Sequence, residues 1–216
     1  MALSSDRHGT IHRLIPHSLL QGFTYSTLAL LLFPLIYTIE GAFRTNYNPL
    51  AQTISSLSFG PTGWTQRLNF ILLGATVIWL ATLWYRLLRK SLVGIWYPAV
   101  RAIEGLGLIA VGLFTQDPQH TVFLVVLVVA MALALLIMTF YFWAVGLKSL
   151  AVFSLLCFVW LNIGMPLFGI ALYGHGILTD YAGLFERLAT NADTIWAVGV
   201  TLYFWKQRNK ITYRPS

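Results

Sequence analysis

Residues 121–146 read TVFLVVLVVAMALALLIMTFYFWAVG, without one charged side chain. About 20 apolar residues of α-helix cross the hydrocarbon core of a bilayer, so a run of this length predicts a transmembrane helix. Working outward, hydropathy places five more spans at about 18–39, 66–88, 95–115, 149–173 and 183–205. The expected fold is all-α, a polytopic bundle of six transmembrane helices. The composition agrees, with 57% hydrophobic and 10% charged residues. Six spans use more than half of the 216 residues, so 1–216 reads as a single integral membrane domain. The connections near 89–94 and 146–148 are short enough to force antiparallel neighbours.

The charges sort by side. With the N-terminus placed inside, Arg7, Arg13, Arg86, Arg89, Lys90, Lys148, Lys206, Arg208, Lys210 and Arg214 fall on the cytoplasmic face. Only Arg44, Arg67 and Arg187 fall outside, while Glu40, Asp117, Asp180, Glu186 and Asp193 gather at or near the outer face. Positive residues are retained inside during insertion, so both termini are expected in the cytoplasm and the protein in the cell (inner) membrane. The net charge of +7 then reflects orienting loops that meet anionic lipid headgroups. It is not a basic face for nucleic acid. Trp84, Tyr85, Trp96, Tyr97, Trp143, Tyr203 and Trp205 read as an inner aromatic belt, and Tyr37, Tyr47, Trp64, Tyr173 and Tyr181 as an outer one.

Other features narrow the chemistry. A single cysteine, Cys157, cannot form an intramolecular disulfide, which excludes a dithiol relay. Leu19–Ile39 is too long for a signal-peptide core and reads as a retained span. Lys148 and Lys206 lie at span ends, so no mid-span lysine is available for retinal. His17, His120 and His175 lie at span edges, so no paired mid-span histidines hold haem. The chain points to no cofactor and no resident metal, and nothing in it sets an oligomeric state.

In the first outer loop, Asn48-Pro49 is a helix-start signal and Gly60-Pro61 a stop. Leu50, Ile54 and Leu57 recur at spacings of four and three, with Gln52, Ser55 and Ser56 off that stripe. The pattern predicts a short amphipathic interfacial helix over about 49–58, a cover for the bundle or a lid over a pocket.

Polar residues inside the spans demand a reason. Arg101 and Glu104, three apart, share a helix face and can pair. Ionisable groups at that depth usually face the bundle interior. Asp117 and His120 sit at the outer mouth, where they start the fourth span or act as acid and base. With His175 and one of Asp180, Glu186 or Asp193 they also form a conceivable metal set, on weak spacing alone. Asn162 and Pro166 mark a kink in the fifth span. At the start of the sixth, Glu186, Thr190, Asp193 and Trp196 share a stripe, and Arg187 is expected to pair with Asp117 or Asp193.

Several stretches carry a resemblance. They are Tyr47-Asn48-Pro49-Leu50, Thr53 to Leu57, Arg67-Leu68-Asn69-Phe70 with Gly74, Gly105 to Gly112 with Asp117 and His120, and Gly183-Leu-Phe-Glu186-Arg187. The chain resembles, over nearly its whole length, a bacterial and archaeal family known as domain of unknown function 998. The resemblance implies a six-helix membrane fold and brings no activity. The residues themselves favour an outward-facing pocket lined by Asn69, Arg101, Glu104, Asp117, His120, His175, Glu186, Arg187 and Asp193. It would bind a small amphipathic molecule or a lipid headgroup, with membrane lipids as the surrounding partner. The alternatives are an enzyme using Asp117 and His120 at the outer face, a proton-linked transporter using Glu104 and Asp193, or a structural subunit.

Overall fold

The computed structural model describes residues 16–115 and 118–212, with side chains as far as Arg208. Six helices account for most of them: α1 (His17–Phe43), α2 (Gly63–Leu88), α3 (Val93–Leu113), α4 (Gln119–Ala144), α5 (Lys148–Tyr173) and α6 (Ala182–Thr212). Short 3-10 helices cover Ser55–Ser58 and Ile177–Tyr181, and no strand occurs among the described residues. The first five helices are long and apolar enough to cross a membrane. The sixth spreads Glu186, Arg187, Asp193, Lys206 and Arg208 along its 31 residues, which lowers its hydropathy.

Each helix packs on its neighbours in sequence, and α6 returns to α1, closing a ring. Tight turns set this order. Gly146, at φ 81°, ends α4 in the left-handed conformation, and the Leu147 amide reaches back to the Phe142 carbonyl at 2.8 Å. The closest approach is between α2 and α3. A methyl group on Gly74 would lie 2.4 Å from the Gly105 carbonyl oxygen, and one on Gly105 would lie 2.7 Å from that of Gly74. Small residues are what allow such backbone contact between membrane helices.

Two sequence expectations are corrected. Trp84, Tyr97 and Tyr37 are not belt residues but are buried inside the ring. Trp84 packs against Phe23, Tyr97 and Trp196 with ring centroids 5.0, 5.4 and 5.8 Å apart. This aromatic block fills the interior at the end of the bundle where α2 finishes and α3 begins.

The interfacial helix over 49–58 is also absent. Residues 49–52 form turns, and only Ser55–Ser58 coil, as a 3-10 helix. The Asn48 side chain caps the Leu50 amide at 3.0 Å rather than starting a helix. The segment enters the bundle instead of lying on it: Ile54 and Leu57 are fully buried while Leu50 stays exposed. The reason lies in its carbonyl groups. A helix would spend them on its own amides, whereas here the side chains of Arg44, just past α1, and of residues on α2 and α6 take them.

Candidate functional site

Residues 44–62 form a lid over one end of the ring, and arginines fasten it. From the end of α1, Arg44 donates to the carbonyls of Ser56, Leu57 and Phe59. From α2, Arg67 Nε donates to Ser58 O at 3.0 Å. From α6, Arg187 Nη1 donates to Pro49 O at 2.8 Å and Gln52 O at 3.0 Å, and Nη2 donates to the Tyr47 hydroxyl. Its guanidinium also lies over the rings of Tyr37 and Tyr47. The three basic residues that break the charge asymmetry of the sequence are thus the three that hold the lid.

The first turn of α6 completes the seat. The Leu184 amide donates to Leu50 O at 2.9 Å. The buried Glu186 carboxylate accepts from the Ile54 amide and, at 3.4 Å, from the Ser55 hydroxyl. Gly183 permits this contact, since a methyl group there would stand 2.1 Å from Gln52 O. At the rim, burial holds the Tyr47 phenol above its ordinary value, so it stays a neutral donor to Thr53 O at 3.0 Å.

Beneath Ile54 and Ser55 lies an enclosed cavity of about 40 Å³. That is room for a few water molecules. Its walls come from α1, α2, α3, α4 and α6 and are mainly apolar, with Phe33, Phe70, Leu108 and Leu127 among them. Three carboxylates interrupt them: Glu186 beside the lid, and Glu104 and Asp193 deeper in. Asp193 takes both terminal nitrogens of Arg101, at 2.6 and 3.0 Å, and Glu104 accepts from Nη1 at 2.8 Å. All three residues of this bridge between α3 and α6 are buried. Burying a guanidinium in a membrane bundle is tolerable only with such bidentate, hydrogen-bonded partners. Below it, the aromatic block around Trp84 shuts the other end of the ring.

The expected site residues therefore divide. Glu104, Glu186 and Asp193 line one cavity, and Arg101 is bonded to two of them. The expected Arg101–Glu104 pair is present. Arg187 does not pair with Asp193, which is taken by Arg101; its guanidinium is spent on the lid instead. Asn69 is buried at the α1–α2 seam, donating to Phe33 O at 3.2 Å, and does not line the cavity. His120 contacts Phe114 O at 3.0 Å through Nδ1, and His175 is exposed between α5 and α6. Neither histidine lines the cavity, and the described residues gather no metal-binding group. Asp117 lies outside the described residues. Asn162 is exposed and bonds back to Phe158 O at 2.8 Å within α5. Reasoning from sequence passed over Arg44, Arg67 and Gly183 as site residues, although the first two stood out as stray positive charges.

Residues 27–203 match the family described as Protein of unknown function (DUF998), and the chain belongs to it. No curated protein and no solved structure matches. The family and the apolar helices together define a multi-pass membrane protein.

Proposed function

We propose that this chain is a six-span binding protein that takes up a small amphipathic molecule beneath the lid from the outer side. The carrying observation is the cavity under Ile54 and Ser55, apolar for most of its wall and interrupted by three carboxylates. That is the usual make-up of a small-molecule site. At about 40 Å³ the cavity is in its closed state. Ligand pockets run to roughly 300–1,000 Å³, so entry requires the lid to lift. Asn46 at φ 61° and Gly60 at φ 81° bracket the lid as its natural bending points. Its fastening by side chains, rather than by a helix or strand ladder, suits a segment that opens.

The sixth span in this reading is α6, about 46 Å long at 1.5 Å per residue. Arg86, Arg89, Lys90, Lys148, Lys206 and Arg208 sit at the end of the ring away from the lid. That favours cytoplasmic termini, an outward lid and one integral domain in the cell membrane.

Native mass spectrometry of the protein purified in mild detergent tests the reading. The expected result is a discrete bound mass that Val111→Phe, a cavity-wall substitution, removes. Bare protein with heterogeneous lipid in both samples would end it.

A second reading is proton-linked transport, favoured by the placement of Glu104 and Asp193 in one cavity. It predicts acid-dependent uptake into vesicles that Glu104→Gln abolishes. An outer-face enzyme has less to support it, because His120 stands apart from every described carboxylate of the cavity.

A further inference from the structure

The unbalanced charge of the cavity points to a class of ligand. Glu104, Asp193 and Glu186 face the same enclosed space, and among the described residues the only cation bonded to any of them is Arg101. Arg187 follows Glu186 in the chain, but its guanidinium is turned onto the lid. Counting both arginines, three ionised carboxylates still leave one negative charge without a partner. Uncompensated charge in a membrane interior is expensive, so charge balance there calls for either a proton or a cationic ligand.

The groups facing the carboxylates leave no other candidate. From α1 come Leu30 and Phe33; from the lid, Ile54 and Ser55; from α2, Phe70, Leu73 and Val77; from α4, Leu124, Leu127 and Met131. None of these titrates. On α5, the buried Cys157 thiol cannot carry the missing positive charge. On α3, Tyr97 stands one turn from Arg101.

One further observation, independent of the acid count, points to a hydrogen-bond acceptor facing the cavity. Glu104 is 1% exposed, gives one carboxylate oxygen to Arg101, and has no hydrogen-bond partner for the other among the described residues. A donor with several N–H groups satisfies such an acceptor, and the Phe33 and Phe70 rings of the wall suit a cation with an apolar tail.

We infer that the ligand is a small lipophilic cation, a protonated alkylamine in chemical class, and that it enters the cavity in exchange for a proton held by the carboxylates. This rests on the pocket reading above and names its substrate class. The step is a balanced exchange: one ammonium enters with its charge intact, and one proton leaves to solvent.

The test uses the full chain in detergent at neutral pH and two probes of equal length, n-hexylammonium and 1-hexanol. Binding is followed by calorimetry and proton release by a pH dye in weak buffer, each against a protein-free micelle blank. The expected result is about tenfold tighter binding of hexylammonium, with about one proton released per cation. Glu104→Gln and Glu186→Gln keep the side-chain volume. At least one of them is expected to abolish proton release and the preference for the cation. Equal binding of both probes without proton release would overturn the cation inference and leave the pocket standing. Binding of neither probe would overturn both. If both glutamine variants fail to fold, the two wild-type probes still decide.

Discussion

Asp193 grips Arg101 with both carboxylate oxygens, at 2.6 and 3.0 Å, and so joins α6 to α3 across the interior of the ring. Around the ring each helix touches its neighbours, but this bridge spans the space between them. It fixes the rotation of α6, and that rotation aims Glu186 at the lid, about two turns away on the same stripe.

Breaking the bridge from one side is costly. Asp193→Asn leaves a buried guanidinium with one carboxylate instead of two, and the expected destabilisation is about 3–5 kcal/mol. The triple replacement Arg101→Met, Glu104→Leu, Asp193→Leu removes every charge together and is expected to lose less. Unfolding midpoints in detergent check both. A single variant as stable as the wild type would show that the bridge does not hold α6.

Gly183 is where the lid meets α6 most closely. Gly183→Ala places a methyl group 2.1 Å from Gln52 O, so the lid must rise. In a Cys157→Ala background, Ser58→Cys, at a fully buried position of the lid, is expected to react slowly with a maleimide. Adding Gly183→Ala is expected to speed labelling about tenfold or more. An unchanged rate would mean that the lid yields elsewhere.

Lysine is a poor substitute for Arg187. The guanidinium reaches Pro49 O, Gln52 O, Gly183 O and the Tyr47 hydroxyl while covering two aromatic rings. A compact ammonium cannot span that set. Arg187→Lys is expected to cost the lid about 1–3 kcal/mol of closure. Hydrogen exchange at the Ile54 and Leu57 amides reads this directly, and protection equal to the wild type's counts against the clamp.

The Tyr47 phenol gives the lid an alkaline limit. Its folded value is raised by burial, so its contribution is complete below the unfolded value of about 10 and is lost as pH rises through the folded one. The stability advantage of the wild type over Tyr47→Phe is therefore expected to hold through neutral pH and shrink above about pH 10. Thermal unfolding of the two proteins over an alkaline series measures it. An advantage that grows with pH would reverse the sign and refute the account.

The long helices are legible because a run such as 121–146 leaves the backbone no other way to satisfy itself in lipid. Arg101 and Glu104 are legible as a pair because three residues on one helix fix their distance. Asp193 is not, since its meeting with Arg101 depends on how α6 turns about its own axis. The loop was misread for a different reason. The spacing of Leu50, Ile54 and Leu57 says which side chains seek the interior but not what satisfies the backbone between them. The donors that satisfy it come from Arg44 and Tyr47 at its own start and from Arg67 and Arg187 on α2 and α6. The stray positions of Arg44, Arg67 and Arg187 were the visible trace of that arrangement.

The lid is made early in the chain, but Gly183, Leu184, Glu186 and Arg187 belong to the last helix. A chain emerging from the ribosome folds from its first residues onward. Arg44 and Arg67 can take the carbonyls of residues 56–59 at once, but those of Pro49, Leu50 and Gln52 must wait until α6 has been synthesised and inserted. Until then the vessel has a gap in its wall and no latch, and the same helix supplies both. Sealing therefore follows the synthesis of α6, so a product stalled before that helix is left open rather than wrongly closed.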